Sequence, residues 1–431
     1  MNLSNLPDAV LVHIISRLET KEAIRTSVLS KRWECLWASK YDFTFEEGCN
    51  NRRSFRSIVD RAFAIGESSS INEFRLSCKV GRDDSDIKTW ICAAVKRRVQ
   101  VVSIKLDGVL VLPPCLLTCA TLTSLCLNLS DTSSLPTSIC LPALKLLELD
   151  SVLFLADNSL HNLLSGCPVL EELIFSECCW LKLTSFSISA TMLQHLEIIE
   201  EIWFRSNSSS SDGSQVVKFG TCNFKSFNHC GDVGNEYCIY NSHSTAIAHM
   251  YVSYSDGNRK KAARRAYKLM NRLANAEKLI LKGDIFEVLS DAEELLPNFP
   301  SFQRLAHLQF KTPSVNLDCK PLLMWLHCSR YLKTLVFDEG ISLLSDFSEN
   351  DDLMNPMPRC LLNEVKNIKV NNFSGKKKEL QAVEFLLKNA LVLENMSIIC
   401  IVNSWRLLRK VTEQLRGFPK GSESCNLLIA F

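Results

Sequence analysis

The chain has 431 residues, 46% apolar and 22% charged, so it can bury a large core and is expected to hold more than one domain. Forty-nine Lys and Arg face 47 Asp and Glu, and the net charge of +2 gives no global pull toward nucleic acid or a membrane surface. No stretch approaches the roughly 18–20 apolar residues that span a bilayer. The start, Met1 to Pro7, has neither a basic region nor an apolar run, so no export signal is expected. The 19 cysteines are therefore expected as reduced, buried thiols in an intracellular protein of the nucleus or cytoplasm.

The first elements are three short helices. Pro7 suits a first helical position and Asp8 an N-terminal turn. Val10, Ile14 and Leu18 follow at steps of four, with Leu11 and Ile15 beside them, which makes a broad apolar stripe. Thr20 is placed to cap a second helix, whose small or apolar face is Ala23, Ile24, Ser27 and Val28. Ser30 can cap a third helix with Trp33 and Trp37 one turn apart. The two tryptophans either anchor a partner or fill the segment's own core. Cys35 stands alone, so no disulfide closes this segment, and no metal-ligand cluster is present. Three helices this short need a staple or a partner to hold a core, so this end is expected to dock onto something else.

The run from Leu6 to Trp37, LPDAVLVHIISRLETKEAIRTSVLSKRWECLW, resembles the F-box. Its Arg25–Trp33 portion is similar to the plant F-box/LRR/FBD family in particular. The resemblance implies a helical module that binds the Skp-type adaptor of a cullin–RING ubiquitin ligase. By position, it implies that Leu6, Pro7, Leu11, Ile14, Leu18, Val28, Leu29, Trp33 and Trp37 face the adaptor or support that surface.

A pattern of apolar-x-x-apolar-x-apolar recurs from residue 101: Val101/Ile104/Leu106, Leu122/Leu125/Leu127, Leu144/Leu147/Leu149, Leu170/Leu173/Phe175 and Leu193/Leu196/Ile198. The starts lie 21 to 26 residues apart, within the period of leucine-rich repeats. Each unit predicts a short strand that stacks beside its neighbours into a curved parallel sheet. Leu160 to Pro168 predicts a helical turn between strands, and Cys167–Leu173 also resembles the repeats of the same family. Residues 206–214 form a polar low-complexity loop, and from Gly220 to Asn258 the pattern weakens. Lys225–Phe227 and Ala248–Val252 are expected as irregular strands there. The pattern returns at Ala276/Leu279/Leu281, Leu305/Leu308/Phe310, Leu332/Leu335/Phe337, Val365/Ile368/Val370 and Leu393/Met396/Ile398, with a helix from Lys376 to Lys388.

The tail resembles the FBD domain through Pro358–Leu361, Phe373–Gly375, Glu379, Leu380, Glu384, Phe385, Leu387, Met396–Ile398 and the run from Phe418 to Ile429. The expected fold is α/β: an F-box over 1–45, a linker and solenoid cap over 46–100, leucine-rich repeats over 101–340 (irregular about 206–260) and the FBD region over 341–431.

Catalytic signatures are absent: no phosphate-binding glycine loop, no serine elbow, no His-Glu-x-x-His helix and no Cys-x-x-Cys pair. Cys222, His229 and Cys230 come nearest to a metal set but lack a second pair. The basic run Arg259–Arg272 fits a nuclear-import signal or a patch for acidic partners, and fits better a solvated face on a helix buried through Ala266, Leu269, Met270 and Leu273. Lys376–Lys378 sits at a turn. Basic residues occupy no regular place in the repeat. The expected function is non-catalytic and cofactor-free: a substrate receptor joining an unknown protein to the adaptor, and through it to cullin and RING subunits. A scaffold that binds the adaptor without delivering a substrate is the alternative.

Overall fold

The computed structural model describes residues 6–37, 40–48, 52–64, 70–81, 84–130, 139–154, 157–180, 185–189, 192–200, 216–220, 224–231, 233, 236–239, 245–252, 259–343, 356–401 and 404–431. The chain divides into two compact units, Met1–Leu193 and Gln194–Phe431. The first opens with α1 (Asp8–Ser16), α2 (Thr20–Arg25), a 3₁₀ turn (Thr26–Val28) and α3 (Lys31–Leu36). Its parallel strands then pair in chain order: Asp42–Glu46, Glu73–Lys79, Val101–Asp107, Ser124–Ser130, Leu146–Asp150 and Glu172–Ser176. In the second unit the order is His195–Glu200, Ser226–Gly231, Ile247–Val252, Lys278–Gly283, His307–Lys311, Thr334–Phe337, Asn367–Phe373, Asn395–Cys400 and Asn426–Ala430, again all parallel.

Each apolar triplet has the same physical meaning. In every triplet but the first, the leading residue sits just before the strand and the other two point to the core face, as in Leu122, Leu125 and Leu127, all buried; Val101 lies within its strand and is half-buried, and Val99, Val102 and Ile104 hold those places instead. Parallel neighbours need a crossover, and most of the longer ones carry a helix. Arg259–Arg272 buries Ala263, Ala266, Leu269 and Met270 against the sheet. Lys377–Asn389 buries Ala382, Val383, Leu386 and Leu387. The Glu379 carboxylate accepts hydrogen bonds from the Ser374 N–H (2.9 Å) and the Lys376 N–H (3.1 Å), which starts that helix. Gly375, with φ +76°, lies where a Cβ would come within 2.5 Å of Val411 Cγ2, so the Phe-Ser-Gly element admits no other residue there without a shift. None of the cysteines among the described residues forms a disulfide. Burial pushes the Cys167 and Cys360 thiols up to about 12.

The repeat extends further than its apolar pattern. Ile71/Phe74/Leu76 and Lys40/Phe43/Phe45 hold the same places on the first two strands, so much of the stretch 46–100 is sheet and helix rather than linker. The region expected to be irregular contains four strands among its described residues: Val216–Gly220 pairs with Glu236–Ile239 in a small separate sheet, and two continue the repeat in full register, with Phe224/Phe227/His229 and Thr245/Ala248/Met250 as their triplets. Polar residues stand at three core positions, and this hid the period. The stretch 341–431 adds three further strands to the second unit's sheet. Residues 206–214 and Cys222 lie outside the described residues.

Thr245 is buried, and its hydroxyl has no hydrogen-bond partner among the described residues. A buried unpaired hydroxyl costs stability that an apolar isostere recovers. Thr245→Val should therefore stabilise the chain by about 1 kcal/mol. The expected readout is a higher urea midpoint at unchanged slope; a lower midpoint would show that the hydroxyl is satisfied.

Candidate functional site

The N-terminal helices form a small core of Leu11, Ile15, Ala23, Ile24, Trp33 and Trp37, all buried. Arg32 fixes α3 to the start of α1: its Nε donates to Asp8 Oδ1 at 2.7 Å and its Nη2 to the Leu6 carbonyl at 2.7 Å. Thr20 does not cap α2, as its residue type suggested. It is the first helical residue, fully buried, and its hydroxyl accepts the Thr44 N–H at 2.8 Å. Lys40 is also buried, and its ammonium donates to the carbonyls of Leu18 (2.6 Å) and Ser16 (3.2 Å) at the C-terminal end of α1. Burial lowers the Lys40 pKa, and Asp42 opposes that shift. The helices are thus tied to the edge strand Asp42–Glu46 by side chains that are themselves inside.

The nine residues expected at the adaptor surface fall into three groups. Leu11, Trp33 and Trp37 are core and support the surface without showing on it. Leu6 and Leu18 are half-buried. Pro7, Ile14, Val28 and Leu29 are exposed, the last three at 36%, 86% and 60%. Val10, one turn before Ile14 on α1, is 42% exposed and joins this last group, although its periodicity alone assigned it to the inward stripe. Four exposed aliphatic side chains on one short module whose own core is complete are surface that a partner would cover.

Each unit also presents the outward face of its strands. In the first unit this face carries Asp42, Glu46, Glu73, Asp107, Glu148, Asp150 and Glu172 against Arg75, Lys79 and Lys105. A depression of about 420 Å³ lies over it, lined in part by Arg75, Lys105, Asn128, Glu148 and Asp150. In the second unit the sign reverses. Strand pairing sets Lys278 opposite His307 and Lys282 opposite Lys311. His249 and Lys369 lie on the same face. This cluster was not legible in the sequence, because its members share a face only once the register is known.

The other sequence candidates are structural. Lys268 pairs with Glu236 at 2.7 Å, Arg264 with Glu294 at 3.3 Å, and Arg265 donates to the Val233 carbonyl at 3.2 Å, so the basic run is a packed helix with partnered cations. His229 is fully buried, with Nε2 3.6 Å from Glu200 Oε2 and its ring 5.6 Å from that of Tyr237. No cluster of three or more metal-ligating side chains occurs among the described residues.

Residues 67–421 match the family described as At1g61320/AtMIF1, LRR domain, and residues 3–45 match the F-box domain. The chain belongs to this leucine-rich-repeat family and carries an F-box. Similar proteins occur in Arabidopsis thaliana. F-box/LRR-repeat protein At3g59210 is 28% identical, over 96% of this chain and 91% of its own length. F-box protein At3g03040 is 29% identical, over 92% and 89%. F-box/FBD/LRR-repeat protein At5g56420 is 26% identical, over 99% and 98%. The exposed aliphatic module described above is the F-box, and the successive parallel strands are the repeats. Among the described residues, no helix of this F-box/LRR chain is long and apolar enough to cross a membrane.

His249 and His307 on the second unit's face both have pKa values below the ordinary 6.5. Burial is the main cause, and the neighbouring Lys282, Lys278 and Lys311 (for His249) and Lys278 (for His307) add to it. As pH falls through 6.5, the unfolded chain takes up these protons before the folded chain does, so stability is lost. The urea midpoint should fall between about pH 7 and about pH 5, and fall less in the His249→Gln/His307→Gln double variant. Identical pH slopes in the two proteins would contradict the lowered values.

Proposed function

We infer that this F-box/LRR chain is the substrate-recognition subunit of an SCF-type ubiquitin ligase. The F-box holds a Skp-type adaptor, and the adaptor connects to cullin and RING subunits. The repeats hold a target protein. The chain performs no bond chemistry. It works by position, converting the meeting of target and charged ubiquitin carrier into an event within one assembly, at high effective concentration. The observation that carries this reading is the F-box itself: a module with a completed core, bonded to the first repeat, that leaves Val10, Ile14, Val28 and Leu29 in solvent. A surface of that kind is stable without a partner and loses apolar exposure when one binds.

The tail belongs to the same proposal. Pro358–Leu361, the Phe373–Gly375 turn held by Glu379, and the final helix and strand fit an FBD region, and a relative named for that domain aligns over nearly the whole chain. The ligase would act in the nucleus or cytoplasm.

The exposed and buried residues separate adaptor binding from folding. Val28→Asp and Leu29→Asp place charges at exposed positions, so the melting temperature should hold while adaptor capture drops by about tenfold or more. Trp33→Ala should also lose the adaptor, but through the module's core, at a cost of about 3–5 kcal/mol to its folding. Normal adaptor capture by both aspartate variants would overturn the proposal. Capture of adaptor and cullin without ubiquitin transfer to any bound protein would favour the scaffold instead.

A further inference from the structure

The outward face of the second unit has a charge problem that the chain does not solve. Seven successive strands, from Ile247–Val252 to Asn426–Ala430, contain no carboxylate residue. Their outward positions carry Lys278, Lys282, Lys311 and Lys369 together with His249 and His307. Lys282 stands directly opposite Lys311 on the neighbouring strand, and like charges in that arrangement destabilise a sheet. Asp338, just beyond the next strand, lies 3.9 Å from Lys311. It already accepts from Gln309 Nε2 (2.6 Å) and Asn371 Nδ2 (2.9 Å). Lys278 and Lys282 are half-buried on their strand, and neither makes an ion pair with a described residue. Lys278 and Lys282 stand four residues apart on one face of the strand, about 13 Å along the backbone, the same repeat that an extended segment lying beside them would have.

We propose that this face, centred on Lys278, Lys282 and Lys311, is the docking surface for an acidic, extended segment of a target protein. The inference rests on the receptor reading above and names the chemistry of what the receptor takes. Charge complementarity selects the partner: the half-buried lysines gain most from carboxylates that displace water, and an acidic segment would remove the Lys282–Lys311 repulsion. The surroundings favour a peptide over a nucleic acid. Gln309, Asn367 and Asn395 offer amides suited to a peptide backbone, with Asn395 Nδ2 already donating to Asn367 Oδ1 at 3.1 Å. Among the described residues, Tyr251 is the one Phe, Tyr or Trp on the outward positions of these strands, with only the imidazoles of His249 and His307 beside it, a sparse platform for stacking successive bases.

The full-length chain, bound to its adaptor, would be titrated into a fluorescent peptide of alternating Glu and Ser. Anisotropy should rise, and the affinity should weaken as salt is raised. Lys278→Glu/Lys282→Glu should weaken binding by about tenfold or more, and Lys278→Gln/Lys282→Gln by less. Lys145→Glu, which changes a cation of the first unit already paired with Glu171 at 3.0 Å, should leave binding unchanged. A thermal melt checks that each variant is folded. Absence of peptide binding at low salt, or equal binding by the charge-reversed variant, would overturn the proposal. So would tighter, lysine-dependent binding of a single-stranded oligonucleotide. Adaptor capture, measured in parallel, separates the two claims: loss of the peptide with adaptor retained refutes this surface alone, and the converse refutes the F-box reading alone.

Discussion

A parallel strand with one apolar face buries that face only if a strand of the same kind lies beside it. Every other feature of this chain follows from that constraint. It forces the triplet spacing, because one residue must close the turn before each strand and two must point inward from it. It also creates a difficulty at the first strand, whose outer edge has no further repeat to pair with.

The F-box resolves that difficulty. Thr20 accepts the edge amide of Thr44, and Lys40 takes the first core position of the first repeat while its ammonium closes the end of α1. The F-box is thus also the cap that terminates the sheet. A lysine is a costly choice for a core position, as its lowered pKa shows. It serves because the apolar stem fills the core while the head satisfies two helix-end carbonyls that would otherwise be unpaired. The first repeats therefore hold the F-box helices in a defined orientation.

Most of the fold was legible from apolar spacing alone, and the failures at three strands share one cause. Where Lys40, His229 or Thr245 occupies a position that other repeats give to Leu or Ile, the period vanishes from the sequence while the backbone keeps it. The site was less legible. Spacing placed Leu11, Trp33, Val28 and Leu29 in one module, but only burial shows that the first two are inside and the last two outside. The cationic face was illegible, because His249, Lys278, His307 and Lys311 become neighbours through strand register and through nothing local.

On this account the chain has two working surfaces of different kinds: aliphatic and helical where it meets the adaptor, polar and charged where it meets a target. Cross-linking of the full chain to a Skp-type adaptor, with a lysine-reactive reagent and mass spectrometry, tests that division most directly. Lys21 and Lys31 are exposed on the F-box, and Lys31 lies two residues after Leu29. The account predicts adaptor cross-links at these two lysines and none at Lys278, Lys282 or Lys369. Adaptor cross-links concentrated on the strand face, with Lys21 and Lys31 silent, would contradict it.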